Sequence, residues 1–200
     1  MNLTVIPLTG EKKDGKFCFF EELKKILQCN KFTIKNGDVL VISSKFISNS
    51  QGRILEINNS KVCNKAKEIA KKFNSNEKFM EIVFRESDNI LGGVAGFVMS
   101  TTNGILAPNA GIDKSNSKGT KIILYPNEPY NFAEELKRKI FLELNLHVGI
   151  IIVDSRLMPA RIGTTGVAIA CAGIEPTKDL RGEKDLDGNP LKVTFQATAD

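Results

Sequence analysis

Asp113 lies in the segment Asn109-Ala-Gly-Ile-Asp-Lys-Ser-Asn116, and Asp154 ends the apolar run that starts at His147. Each places a carboxylate just outside an apolar stretch, beside small residues that let other groups approach. Ser155 follows Asp154 and adds a third oxygen, through its hydroxyl or its carbonyl. Magnesium and manganese prefer oxygen donors and commonly bind through one or two carboxylates together with substrate phosphates and water. The three residues therefore form a candidate site for a hard divalent cation that holds phosphates. The alternative from spacing alone is that both aspartates cap turns or helix starts.

Other segments could grip an anion. Ser43-Ser44-Lys45 offers hydroxyls, backbone N–H groups and one ammonium at the end of a short apolar strand. It is not a Walker loop, because the G-x-x-x-x-G-K-[ST] spacing is absent. In the turn Pro7-Leu8-Thr9-Gly10, the glycine would let backbone approach a ligand, although tight turns need glycine anyway. After Asp154, Arg156, Pro159, Arg161 and Gly163 combine two guanidinium groups with backbone constraint, which suits a phosphate or carboxylate clamp. Lys178, Arg181 and Lys184 alternate with Asp179 and Asp185 and read mainly as surface pairs. His147 is the single histidine, at a helix-to-strand boundary, so no Ser/His/Asp or Cys/His nucleophile can be assembled around it.

These groups need elements to carry them. Residues 3–7 read as a short strand, and the spacing of Phe19, Phe20, Leu23, Ile26 and Leu27 predicts an amphipathic helix over 19–28. Val39 to Ile42 is a short buried strand delivered by the turn Lys35-Asn-Gly-Asp38. Ser60 and Asn76 are predicted to cap two helices, the first through Phe73, the second through Phe84. Asn103-Gly104 marks a hairpin between 97–101 and 105–107. Residues 121–125 predict a strand, and Asn131 caps a helix through Leu144. Strands at 148–153 and 167–172 follow, separated by an irregular loop. A loop over 179–190 leads to a last strand over 191–197. Hairpins mixed with single helices predict an α+β fold.

Composition fits a globular chain of 200 residues, 42% hydrophobic and 26% charged, with no tryptophan. The longest apolar run is far too short to cross a bilayer, and the N-terminus lacks a signal-peptide pattern, so a cytoplasmic protein is expected. Cys18, Cys29, Cys63 and Cys171 are scattered without a C-x-x-C pair, which predicts reduced and mostly buried thiols and no structural zinc. The net charge of +5 is spread over the chain and carried mostly by lysine, the pattern of a solvated surface. A nucleic-acid partner is not expected, although a mild positive field helps recruit a small polyanion.

Taken in order, several segments resemble the coenzyme F420-0:L-glutamate ligase family. They are Val5 to Gly10, Gly37 to Lys45, Gly52-Arg53, Asn109 to Asn116, Ile152 to Ser155, Val167 to Gly173, and Asp179 to Gly188 with Leu191 to Thr194. The resemblance covers nearly all of residues 1–200 as one ligase-like domain, and the Asn-Ala-Gly-Ile-Asp-x-Ser-Asn segment is its most specific part. It implies a mixed-sheet fold particular to the family, an intertwined homodimer, and amide formation between L-glutamate and a deazaflavin acceptor. It also implies GTP as co-substrate with Mg2+ or Mn2+. Nucleotide contacts carry over to Pro7, Leu8, Thr9, Gly10, Ser43, Ser44, Lys45 and Asn116, and metal ligands to Asp113, Asp154 and Ser155. The catalytic set is then Asp113, Asp154 and Arg161. Two departures bear on this: Leu157-Met158 stands where the family has glycine-arginine, and family sequences continue beyond the point matching Asp200 with a segment that helps hold the nucleotide. They motivate two alternatives, a ligase with a different acceptor or amino acid, and a non-catalytic module binding nucleotide or deazaflavin.

Overall fold

The computed structural model describes residues 3–13, 15–59, 61–114, 121–157 and 162–200. In chain order the elements are α1 (Phe19–Cys29), β1 (Val39–Ser43), α2 (Ser44–Gln51), β2 (Ile54–Glu56), α3 (Asn64–Lys72), α4 (Glu77–Glu86), β3 (Asn89–Val94), β4 (Phe97–Thr102), β5 (Ile105–Pro108) and β6 (Lys121–Ile123). They continue as α5 (Pro129–Leu144), β7 (Gly149–Leu157), β8 (Thr164–Ala172), β9 (Thr177–Asp179) and β10 (Phe195–Ala197). This is the α+β arrangement expected. The chain divides into two compact units, residues 1–34 with 43–128 and residues 35–42 with 129–200.

In the first unit, α3 and α4 pack together over a core of Ala70, Phe73, Phe79, Met80, Val83, Val98 and Ile122. Asn76 caps α4 as expected, its Oδ1 accepting from the Phe79 N–H at 3.0 Å. Ser60 lies outside the described residues; α3 starts at Asn64, and the Sγ of Cys63 accepts from the Ala66 N–H at 3.5 Å. Strands β3, β4 and β5 form an antiparallel sheet, and β2 pairs with β6. The β4–β5 turn holds Asn103 and Gly104 at φ 51° and 72°, the paired left-handed geometry that Asn-Gly favours.

Residues 3–7 form no strand, contrary to expectation: Leu3 and Val5 alternate but are 90% and 81% exposed, and no strand among the described residues pairs with them. The helix α2 and the strand β3 were not foreseen. The α5 helix begins at Pro129 rather than after Asn131, because proline suits the first helical turn, where its missing N–H is not needed. Cysteines 18, 29 and 63 are exposed rather than buried; all four thiols are free.

A buried carboxylate ties α4 to the start of α3. Glu81, 2% exposed, accepts from the Cys63 N–H at 2.8 Å and from the Arg85 Nε at 2.5 Å. The Cys63 N–H first, and Arg85 after it, hold the Glu81 carboxyl below the ordinary glutamate range against the opposing effect of burial. A depressed folded value means stability that is present above the unfolded pKa and lost as pH falls through the folded one. We expect Glu81→Gln to cost about 1–3 kcal/mol at neutral pH. Urea titrations at several pH values should show that deficit shrinking in acid; a constant deficit would refute the assignment.

In the second unit, β1, β7 and β8 form a sheet in that order, and β9 pairs with β10. The α5 helix packs on β7 and β8 through a face that buries Ala133, Leu136 and Ile140. Ile150, Ile152, Ile169, Ala170 and Ala172 supply buried sheet residues. The last strand covers only Phe195 to Ala197, shorter than the stretch from Leu191 expected: those three pair in register with Thr177 to Asp179, whereas Thr194 and Leu191 bond to Leu180, Gly182 and Glu183 in irregular backbone. Arg181 and Asp179 pair at 2.7 Å on the surface, as expected, and the arginine holds the Asp179 carboxyl down to about 2.

Candidate active site

The candidate residues of the first unit begin where β1 runs into α2 without a loop. Ser43 is the N-cap residue, with extended backbone at φ −64° and ψ 132°, but its hydroxyl does not cap the helix. Backbone N–H groups therefore start the helix beside the Ser43 and Ser44 hydroxyls, a local dipole that favours negative charge. Helix α2 ends at Gly52, whose left-handed φ of 73° reverses the chain. Arg53 then donates through Nε to the Tyr125 carbonyl at 2.9 Å and pairs with Glu86.

The Asn109-to-Asp113 segment is fixed more firmly than a surface turn. Asn109, Ala110 and Gly111 take successive left-handed φ values of 49°, 56° and 67°. Only glycine accepts such geometry without cost, so the two preceding residues need external support. They receive it. Asn109 Oδ1 accepts from the Val98 N–H, and the Ala110 N–H donates to Ser100 Oγ, both at 2.9 Å. Ser100, fully buried, in turn donates to the Ala107 carbonyl at 2.7 Å. A side chain at Gly111 would sit 2.6 Å from the Tyr125 ring. Ala110 and Ile112 point into the hydrophobic core.

Asp113 itself is held by two backbone bonds with Ile123, each 2.9 Å, in an isolated antiparallel bridge. Its carboxylate is paired with the Lys45 ammonium. The fold thus brings together two predicted site residues that lie far apart in the chain. Lys114, next to Asp113, lies over the Phe79 ring with its ammonium 3.3 Å from the centroid, and burial lowers its pKa. Nothing in the sequence reasoning marked Lys114; only its place in the Asn109–Asn116 motif could have drawn notice.

Pro7 to Gly10 docks on the end of α1. Asn30 Oδ1 accepts from the Thr9 N–H at 3.3 Å and its hydroxyl at 3.4 Å, while Asn30 Nδ2 donates to the Thr9 carbonyl at 2.9 Å. A Cβ at Gly10 would lie 2.8 Å from the Ile26 side chain. Close packing on Ile26 thus accounts for this glycine without a ligand.

In the second unit the expected acidic turn is instead part of a strand. Asp154 and Ser155 sit inside β7, opposite Val167 and Gly166 of β8. The strand outlasts its apolar run because β8 pairs with it as far as Leu157, opposite Thr164. Alternation along a strand puts Asp154 and Arg156 on one face and the Ser155 side chain on the other. Arg156, 3% exposed, sets its Nε 2.9 Å from the Asp154 carboxylate. The Ser155 hydroxyl and the Asp154 carboxylate therefore leave the sheet in opposite directions, which favours the Ser155 carbonyl over its hydroxyl as a donor. Arg161 and Asn116 lie outside the described residues.

Within each unit taken by itself, an aspartate that balances a cationic side chain offers oxygen donors of the type a hard divalent ion prefers. Among the described residues no three His, Cys, Asp or Glu side chains gather into a metal cage. Sites completed by phosphate and water need only one or two carboxylates.

The chain is thus an α+β protein that sets a lysine–aspartate pair beside a strand-to-helix junction. The sequence model of the F420-0:Gamma-glutamyl ligase family matches residues 8–200, and the chain belongs to that family of ligases. It is 33% identical to the coenzyme F420:L-glutamate ligase of Archaeoglobus fulgidus over 202 residues, covering all of this chain and 79% of the relative. The ligase of the same name from Methanothermobacter thermautotrophicus is 32% identical over 196 residues, covering 98% and 76%. That from Methanocaldococcus jannaschii is 35% identical over 171 residues, covering 84% and 68%. No helix among the described residues is long and apolar enough to cross a membrane.

Proposed function

We propose that the chain joins L-glutamate to the deazaflavin coenzyme F420-0 in a reaction driven by GTP and a divalent metal. The observation that carries this reading is the Lys45–Asp113 pair at the β1–α2 junction, inside a chain of the F420-0:gamma-glutamyl ligase family. Asp113, Asp154 and the Ser155 carbonyl are the oxygens we assign to Mg2+ or Mn2+. Bound there, the ion would neutralise the phosphate oxygens of the nucleotide. Ser43, Ser44 and Lys45 hold the triphosphate, with Asn116 and the Pro7-to-Gly10 segment on the nucleotide, and Arg161 steadies the acceptor.

The acceptor carboxylate attacks the γ-phosphorus; the bond to the β–γ bridging oxygen breaks, and GDP leaves. The resulting acyl phosphate is attacked by the deprotonated amine of glutamate. An amide C–N bond forms, phosphate departs, and the amine's second proton passes to solvent. Such chemistry depends on positioning and charge neutralisation and needs no protein nucleophile. The lone histidine, tilted against Phe141 with ring centroids 4.8 Å apart, is not required.

We place the protein in the cytoplasm as a homodimer. Val39 and Val41, 45% and 61% exposed on the edge strand β1, offer apolar surface of the kind subunits cover. A second reading, a different acceptor, draws on Leu157, which is 42% exposed at the end of β7 where the family has glycine. One assay separates them: GDP release with F420-0, glutamate and Mn2+, and mass spectrometry of the product. Glutamylated F420 is the expected result. GDP release with other carboxylate acceptors but not F420-0 would transfer the assignment to the second reading, and a folded protein that binds GTP without turnover would overturn both.

A further inference from the structure

The Lys45 ammonium occupies a place on Asp113 where a metal ligand would need an open lone pair. The Asp113 side chain is 19% exposed and that of Lys45 38%, so the pair is partly withdrawn from water but still reachable. The Asp113 backbone is fixed, since both its N–H and its carbonyl are tied to Ile123, and its short side chain keeps the carboxylate close to that anchor. Lys45 can move: it sits in the first turn of α2 on a flexible four-carbon stem. Lys114 is no substitute, because its ammonium lies over the Phe79 ring.

From this geometry we propose that Lys45 is an exchangeable place-holder. It balances Asp113 before loading, is expelled by a divalent cation, and moves to the nucleotide phosphates. The inference rests on the assignment of Asp113 as a metal ligand, and it makes Lys45 a positioning residue that couples two ligands. A dication and an ammonium repel each other across one carboxylate, so a metal bound there weakens the hold of the lysine. Phosphates that draw the lysine off Asp113 favour metal binding, and reciprocity requires metal to favour nucleotide by the same factor. A merely structural ion pair would behave in the opposite way, with removal of Lys45 loosening Asp113 and weakening metal binding.

The test is direct Mn2+ binding, followed by electron paramagnetic resonance, with and without GDP. Lys45→Met should bind Mn2+ alone about tenfold more tightly than wild type, and the gain in Mn2+ affinity produced by GDP should shrink by a similar factor. Unchanged or weaker Mn2+ binding by Lys45→Met, with Asp113→Asn still abolishing it, overturns the exchange and leaves the metal assignment standing. Asp113→Asn that binds Mn2+ normally removes both. A wild-type measurement covers the case of a misfolded variant: Mn2+ alone should speed chemical methylation of the Lys45 amine, and added GDP should slow it again. A methylation rate indifferent to Mn2+ refutes the exchange.

Discussion

Asp154→Asn will lose at least about 100-fold in Mn2+-dependent affinity for GTP, and ligase turnover with it. The substitution keeps the shape of the side chain and removes its charge, which is what a hard cation reads. It will also destabilise the protein. Arg156 is 3% exposed and sits 2.9 Å from the Asp154 carboxylate, so the change leaves a buried guanidinium short of its counter-charge. Breaking buried pairs from one side typically costs about 3–5 kcal/mol. The double variant Asp154→Asn/Arg156→Met separates these effects: it should regain most of the stability and none of the metal affinity. Ser155→Ala should leave Mn2+ binding nearly intact, since its hydroxyl faces away from Asp154. Calorimetry reads all three; normal metal-dependent GTP binding by a folded Asp154→Asn would end the assignment of this residue.

Phe79→Ala should lower stability by about 3–5 kcal/mol. Phe79 is 1% exposed in the core formed by α3, α4, β4 and the Asn109–Asp113 segment. Its removal opens a cavity beneath Ala110 and Ile112, which share that core with it. It also takes away the ring under the Lys114 ammonium, 3.3 Å from the centroid. Such interactions are worth about 0.5–2 kcal/mol. The loss is large against a total stability of about 5–15 kcal/mol. Phe79→Leu should cost less through packing yet still free Lys114. Urea denaturation gives the stabilities, and a shift below about 1 kcal/mol for the alanine variant would contradict the packing described.

Features set by neighbours in the chain were legible in the sequence. The α1 periodicity, the Asn76 cap and the Asn103-Gly104 turn depend on residues within one or two turns of each other. Helix α2 was not legible, because Ser44-Lys-Phe-Ile-Ser-Asn-Ser-Gln51 is rich in residues that prefer caps and turns. It is helical where the fold buries Ile47, Ser48 and Ser50. Strand β3 carries Gly92-Gly93, which reads as a turn; only its pairing with β4 makes it a strand. Conversely, residues 3–7 alternate like a strand but pair with no strand among the described residues.

The sequence by itself determined which carboxylates, hydroxyls and cationic side chains this protein carries in its motifs, and the family to which it belongs. Tertiary structure alone decided that Lys45 meets Asp113, that Asp154 lies inside β7 beside Arg156, and that the Ser155 side chain faces away from it. The reason is physical. Local propensity acts over a few residues, whereas strand pairing and core burial join segments whose separation along the chain no periodicity records.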